Sequence, residues 1–206
     1  NHSIPADGDP KKFQPHFVKQ SVQKSEALSM ENTIKNSIKT RQIAFLAADG
    51  VDESSINKMK KALETEGAQI KIIAPSLGKL NNKNGKGINV DQSFLTAASV
   101  LFDAVYIPAG KNSADTLSKN ADAVHFINET YKHCKAIAAD NHGIELIKSS
   151  NIIGKMNDEN SELKNPAEMG VIINSNGYSK NFIKDFIDSI AQHRFWQRED
   201  KNNVPA

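Results

Sequence analysis

Five short apolar runs alternate with longer segments of helical periodicity, and this alternation constrains the fold more than any other feature of the chain. Each run is apolar on nearly every successive residue, which is typical of a strand buried on both faces of a parallel sheet. Helices between parallel strands must cover both faces of that sheet. The sequence therefore predicts an α/β fold, a doubly wound parallel sheet with helices on both faces. The runs cover residues 43–48, 69–74, 104–108, 136–139 and 170–173.

Two of the predicted helices have clear signals. The first begins at Ser54 or Ser55, either of which can cap it, and ends at Gly67, where a left-handed backbone is expected. The last is marked by apolar residues at three- and four-residue spacing, namely Phe182, Ile183, Phe186, Ile187 and Ile190. The remaining predictions are helices over about 121–133 and 143–148, a hairpin tip over 81–87 and a short strand around 88–90.

The ends of the chain differ from the middle. Residues 1–40 contain Pro5, Pro10 and Pro15, many lysines and few bulky apolar residues, which predicts an extended arm or linker. Residues 41–198 form the predicted domain, and residues 199–206 form a tail. We expect this chain to be a piece of a longer polypeptide, because its first residues do not resemble a natural beginning.

Composition excludes several functional classes. The formal net charge is +2, and the three arginines (Arg41, Arg194 and Arg198) form no stripe, so no nucleic-acid partner is expected. No apolar run approaches the roughly 20 residues that span a bilayer, so no membrane role is expected either. The single cysteine, Cys134, rules out an internal disulfide and a cysteine-based zinc site. A cytoplasmic location is the default expectation.

Residues 135–147 predict a buried strand, a sharp turn and the start of a helix. In α/β enzymes this junction commonly carries a nucleophile. Here the apex is Asn141, whose amide has no ionisable proton and is a poor nucleophile. The chain thus keeps the frame of a catalytic elbow without its reactive atom.

Several motifs, in the right order, resemble the C-terminal domain of large-subunit haem catalases. The resemblance covers about residues 25–200 and implies a flavodoxin-like fold of the DJ-1/PfpI superfamily, within the class I glutamine amidotransferase-like proteins. The motifs are ALSM at 27–30, AADGVD at 47–52, IAP at 73–75, VDQSF at 90–94, SVLFDA at 99–104, YKHCKAI at 131–137 and AQHRFW at 191–196.

The same resemblance implies what the site has lost. Active members of that superfamily have a Cys-His-Gly elbow and a carboxylate from the first strand–helix loop, whereas this chain has Asn141, His142 and Gly143, with Asp52 near the carboxylate position. We therefore expect no catalytic residues, and we interpret Asn141, His142, Asp52 and Asp140 as a vestigial elbow pocket. No cofactor or metal is expected in this fragment, and haem belongs to the catalase body of the parent protein.

Each residue of interest also has a structural interpretation. Asn141 could simply tolerate a strained turn, and His142 could bond to nearby backbone. Asp49, Asp52 and Glu53 are either the remains of an acid/base group or, for the last two, residues that favour a helix N-terminus. Cys134 is either a thiol activated by His133 and Lys135 or an incidental one. No metal spacing links His125, His133, His142 and Asp140, and residues 85–87 (GKG) lack the helix of a phosphate loop.

The leading hypothesis is an accessory domain that stabilises a catalase tetramer, without haem or peroxide-splitting activity of its own. Its expected partners are the haem domain of the same chain, neighbouring subunits and unfolded proteins. One alternative is a DJ-1/PfpI-like hydrolase or glyoxalase that uses His142, Asp52 and a bound water. Another is a chaperone or interaction module that uses exposed apolar residues, namely Phe13, Phe17, Phe195 and Trp196.

Overall fold

The computed structural model describes residues 25–81, 87–152, 166–175 and 180–198. The chain divides into two units, residues 1–33 and residues 34–206. In the first unit, two short 3-10 turns cover Glu26–Leu28 and Met30–Asn32. Most of the predicted arm, the tail, the hairpin tip over 82–86, Phe13 and Phe17 lie outside the described residues.

The second unit is built on the predicted parallel sheet, which confirms the α/β fold class. Six parallel strands lie in the order β5-β2-β1-β6-β7-β8, and a separate antiparallel pair joins β3 to β4. The strands are β1 (Gln42–Leu46), β2 (Gln69–Ala74), β3 (Lys79–Leu80), β4 (Ile88–Asn89), β5 (Gln92–Ser93), β6 (Ala104–Ile107), β7 (Ala136–Asp140) and β8 (Val171–Asn174).

The helices cover both faces of the sheet. Among the described residues, these α-helices are α1 (Glu53–Thr65), α2 (Lys111–Ser118), α3 (Ala121–Lys132), α4 (Ile144–Lys148) and α5 (Lys180–Gln192). One buried cluster joins Phe45 to apolar residues of α1 and α5, and the other joins Leu46 to residues of α2, α3 and α4. Because successive strand residues point to opposite faces, neighbouring residues of β1 belong to different cores.

Helix α2 and strand β5 are among the described elements that were not predicted from the sequence. Helix α2 consists mostly of polar residues and buries only Ser113, Ala114 and Leu117, so it has a weak apolar stripe. Strand β5 is two residues long and pairs with β2 only through Gln92 and Ser93. Both elements depend on tertiary contacts, which a short local pattern cannot reveal.

Candidate functional site

The elbow lies at the carboxyl end of β7. Asn141 has a φ of +47°, the left-handed conformation that asparagine tolerates better than most residues. A short 3-10 turn over Asn141–Gly143 leads directly into α4. A Cβ at Gly143 would lie 2.6 Å from the carbonyl oxygen of Ile107, so only glycine allows this close approach to β6. The backbone frame expected from the sequence is therefore present.

A cavity of about 530 Å³ opens beside the elbow. Three of the four residues predicted to form the pocket lie in its wall: Asn141, His142 and Asp52. Asp140 does not. None of the described wall residues is a serine, threonine or cysteine, so the wall offers no hydroxyl or thiol nucleophile. The full lining is Gly50, Val51, Asp52, Glu53, Ala109, Gly110, Lys111, Asn112, Asn141 and His142.

Two loops in close contact form one wall of the cavity. Gly110 has a φ of +133°, and a Cβ there would lie 2.7 Å from both the carbonyl oxygen of Gly50 and the Cα of Val51. The backbone N–H of Asp52 donates to the carbonyl oxygen of Ala109 at 2.8 Å. The loop after β1 and the loop after β6 are thus held together by backbone contacts that leave no room for a side chain at Gly110.

The first-loop carboxylates have structural partners. The Oδ1 of Asp52 accepts a hydrogen bond from the backbone N–H of Ser54 at 2.9 Å, so Asp52 caps α1. Glu53 is the acidic residue in the first turn of the same helix, where the helix dipole favours negative charge. Asp49 accepts from the backbone N–H of Asn81 at 2.8 Å and from its side-chain amide at 3.3 Å. This geometry agrees with the helix-end interpretation of Asp52.

Asp140 belongs to a buried hydrogen-bond network instead of the cavity wall, with only 6% of its surface exposed. Its Oδ2 accepts from the Ser55 hydroxyl at 2.9 Å, and its Oδ1 accepts from the Asn174 amide at 3.0 Å. The Tyr106 hydroxyl lies 2.6 Å from the Ser55 Oγ and 3.5 Å from the Asp140 Oδ2. The Ser55 Oγ also accepts from the backbone N–H of Ala109 at 3.1 Å. The network ties α1, β6, β7 and β8 together beneath the cavity.

The geometry of this network indicates which group donates and which accepts each hydrogen bond. Burial, more than any other cause, raises the pKa of Tyr106, so its hydroxyl stays protonated and acts as a donor. Ser55 has one proton, which it donates to Asp140, and its oxygen accepts from Tyr106 and from Ala109. Sequence reasoning missed Ser55, Tyr106 and Asn174 as partners of Asp140. The one available signal was a tyrosine in a buried strand, whose hydroxyl needs a hydrogen-bond partner.

The other residues considered from the sequence lie elsewhere. Cys134 is buried at the amino end of β7, the opposite end from Asn141. His125 and His133 line a separate groove of about 320 Å³ along α3, and the Nε2 of His133 lies 3.5 Å from a carboxylate oxygen of Glu129. Within the described ranges, no group of three or more His, Cys, Asp or Glu side chains is arranged to hold a metal ion.

The two aromatic residues that follow α5 differ in their exposure. Phe195 is 3% exposed and belongs to the core, where its ring packs so tightly on Gly170 that no Cβ would fit there. Trp196 is half-buried. Phe195 therefore packs on its own domain and offers no docking surface.

No helix in the described part of the chain is both long and apolar enough to cross a bilayer.

Comparison with known proteins identifies a family. A family model for the C-terminal domain found in long catalases matches residues 39–200. Catalase HPII of Mycobacterium avium is 37% identical over 190 residues, which are 92% of this chain and 27% of that protein. Catalase-2 of Bacillus subtilis is 36% identical over 176 residues, which are 84% of this chain and 23% of that protein. The chain thus spans about a quarter of the length of these relatives.

Solved structures show the same fold at lower identity. A ThiJ/PfpI domain protein from Brachyspira murdochii superposes with a TM-score of 0.52 at 23% identity, covering 55% of this chain and 66% of that one. A two-domain protein from Anabaena variabilis, with DJ-1/ThiJ/PfpI-like and ferritin-like domains, gives 0.51 at 24% identity, covering 54% and 34%. This likeness confirms the predicted DJ-1/PfpI-like, flavodoxin-like architecture.

Proposed function

We propose, since this chain belongs to the family of C-terminal domains found in long catalases, that it is an accessory domain which stabilises the assembly of a haem catalase. Its partners are then the haem domain of the same polypeptide and the neighbouring subunits. In this proposal the domain performs no peroxide chemistry. The observation that carries it is the elbow itself, where the amide of Asn141 stands at the apex and no hydroxyl or thiol lines the described cavity wall.

The described tyrosines do not fit a haem site. A catalase-type axial ligand is a tyrosinate supported by an arginine, so the pKa of that tyrosine has to fall. Burial raises the pKa of both Tyr106 and Tyr131 instead. The sequence separates tyrosines from arginines, yet the fold places the guanidinium of Arg198 4.5 Å from the centre of the Tyr131 ring. There it stacks on the ring face, and Tyr131 is 5% exposed beneath it.

The buried network supports a scaffold better than a catalyst. Asp140 is the carboxylate nearest the elbow in sequence. Its two oxygens accept hydrogen bonds from Ser55 and Asn174, and it does not line the cavity. A general base has to lie within hydrogen-bond reach of its substrate. Asp140 is therefore a structural residue in this proposal, and the pocket of Asn141, His142 and Asp52 is vestigial.

An enzymatic role is the second proposal, because His142 and Asp52 both line the cavity. A DJ-1/PfpI-like hydrolase or glyoxalase would use them with a bound water. We expect the purified chain to show no methylglyoxal turnover above buffer. Turnover that disappears in His142→Ala and survives in Cys134→Ser would favour the enzyme. The second variant is the matched control, because it removes the chain's thiol at the opposite end of β7.

A gain-of-function variant tests the frame of the elbow. In Asn141→Cys, a thiol would take the apex beside His142 and the N-terminus of α4, a setting that favours the thiolate. We expect this thiol to react with iodoacetamide at least tenfold faster at pH 7 than the buried Cys134 of the unchanged chain. Equal rates for the two proteins, with both folded by circular dichroism, would show that the site lacks the electrostatics of an elbow.

Two further predictions remain proposals. The first is that the domain binds unfolded proteins through exposed apolar residues. Phe195 is buried and cannot be one of these residues, and Phe13 and Phe17 lie outside the described residues. The cytoplasmic location stays a prediction.

A further inference from the structure

One connection of the sheet is made by a loop where a helix is expected. The chain leaves β5 at the edge of the sheet and crosses β2 and β1 to reach β6. Connections between parallel strands normally take a dozen or more residues and contain a helix. This connection takes only residues 94–103, with a short 3-10 turn over Ser99–Leu101. We call residues 94–103 the crossover loop.

The inner side chains of the crossover loop cover the sheet. Phe94, Ala97 and Phe102 are buried in the same core cluster as Leu46 and Ile73 of the strands. The loop therefore takes the place of a helix on this face. An amphipathic helix would also turn a polar stripe to the water.

The outer side chains of the crossover loop are apolar instead. Leu95 is 85% exposed, Val100 is 71% exposed and Leu101 is 52% exposed. Single exposed apolar residues are normal on a protein surface, whereas a group of them marks an interaction surface. The outer face of this loop is therefore suited to be covered by another protein surface.

A groove of about 320 Å³ lies beside these residues, and Val100 lines it. One wall is the crossover loop, and the other is the face of α3 that runs from Asp122 to His133. The rings of Phe94 and Phe126, with 6.1 Å between their centres, form its apolar part. Polar and charged side chains of α3 form the rest. An apolar centre with a polar rim is the usual anatomy of a protein–protein interface. We call this site the crossover groove.

The crossover loop is held in place by the domain itself. The ammonium of Lys135, a residue 3% exposed, donates to the carbonyl oxygen of Ser99 at 2.7 Å. The backbone N–H of Phe102 donates to the same oxygen at 3.1 Å, and that of Leu101 donates to the carbonyl oxygen of Ala98 at 3.1 Å. A surface that is already ordered loses little conformational entropy when a partner binds.

The polypeptide enters the domain next to this loop. Ile38 is 2% exposed, so the chain is anchored before β1 begins. The backbone N–H of Asp103 donates to the carbonyl oxygen of Gln42 at 2.7 Å, and the Asp103 carboxylate lies 3.2 Å from a guanidinium nitrogen of Arg41. Leu101 comes two residues before Asp103. A body that precedes the domain is thus tethered beside the exposed apolar residues, which raises its effective concentration there.

The relatives indicate what precedes such a domain. The matching family is a C-terminal domain of long catalases, so the rest of a long catalase comes before it in sequence. This chain covers 27% of the Mycobacterium avium relative and 23% of the Bacillus subtilis relative. Most of each relative is therefore a body that reaches the domain from the side of β1.

We propose that the crossover groove, with Val100 and Leu101, is the surface on which the catalase body docks. The partner surface presents aliphatic or aromatic side chains that fill the groove between Phe94 and Phe126. This inference rests on the proposed function, because it needs a catalase body before the domain. It goes further in naming the face of the domain that carries the stabilising contact, which is not the face of the elbow pocket.

Hydrogen exchange read by mass spectrometry tests the position of the contact. The isolated 206-residue chain is compared with a joined protein, in which the body of Bacillus subtilis Catalase-2 is followed by this chain. We expect the amides of the crossover loop and of α3 to exchange at least tenfold more slowly in the joined protein. The amides around Asn141 should exchange equally in both proteins.

A double variant, Val100→Ser/Leu101→Ser, tests the contact itself. Both side chains are exposed, so the isolated variant should be as stable as the isolated unchanged chain. In the joined protein the variant should remove the added protection, because losing two apolar contacts weakens docking about tenfold or more. Leu77→Ser is the matched control, since Leu77 is 64% exposed and follows the carboxyl end of β2.

The outcomes separate this inference from the proposed function. A joined protein that resists heat better than the body alone, but gains its protection outside the crossover loop and α3, overturns the inference and leaves the proposed function standing. A joined protein with neither added stability nor added protection overturns both. An isolated chain that sediments as a dimer, and as a monomer in the double variant, assigns the groove to a second copy of the chain and also overturns the inference.

Discussion

Asp140→Ala is expected to lower the free energy of unfolding by about 3 kcal/mol or more. This loss is larger than the losses expected for Asp52→Ala and Asp115→Ala. Removing the carboxylate leaves the hydroxyl of Ser55 and the amide of Asn174 without the acceptor that each has in Asp140. It also removes the Asp140 oxygen that lies near the Tyr106 hydroxyl. All of these groups are buried, so water cannot replace the lost bonds.

Urea unfolding followed by circular dichroism measures this effect. Asp52→Ala should lose about 1 kcal/mol, the usual value of a helix cap, and Asp115→Ala, an exposed aspartate on α2, should change stability by less than about 0.5 kcal/mol. Asp140→Asn should fall between Asp140→Ala and the unchanged chain, because one acceptor oxygen remains. If Asp140→Ala lowered the free energy of unfolding no more than Asp52→Ala does, the buried network would not stabilise the domain as we expect.

Phe45→Ala should destabilise the domain by about 3–5 kcal/mol. Phe45 is fully buried in β1, between β2 and β6, and its ring meets that of Tyr106 edge-on with 4.8 Å between centres. Truncation would leave a cavity between the sheet and the helices α1 and α5, which pack on the same core cluster.

Chemical unfolding and the melting temperature both report this loss. Phe45→Leu keeps most of the volume and should lose less than half as much. Leu77→Ala removes a leucine that is 64% exposed and should be nearly neutral. A Phe45→Ala protein with the melting temperature of Leu77→Ala would contradict the central position assigned to Phe45.

The sheet was predictable because the apolar pattern of each main strand lies within its own residues. Strands such as β1 and β6 consist almost entirely of apolar residues, and α1 carries an apolar stripe. The predicted cap at Ser54 or Ser55 was wrong, because the side chain that caps α1 is that of Asp52. Helix α2 and strand β5 were missed because they are polar or very short, and they form only when packed against neighbours.

The site was predictable only in part. The elbow follows from a strand–turn–helix pattern, so Asn141 and His142 were found. The inward orientation of Asp140 could not be predicted, because it depends on Ser55, Tyr106 and Asn174, which come from three other elements. The burial of Phe195 likewise depends on Gly170, a glycine in a distant turn with no side chain to exclude the ring.

The stability of a catalase with and without this domain tests the proposed stabilising role. The catalase body of Bacillus subtilis Catalase-2 would be produced alone and joined to this chain in place of its own C-terminal part. We expect the joined protein to resist heat inactivation and subunit dissociation better than the truncated body, with the same peroxide turnover per haem and no change in His142→Ala. A truncated body that is equally stable and assembled would rule out the stabilising role, and a joined protein whose turnover falls in His142→Ala would assign the elbow pocket a part in catalysis.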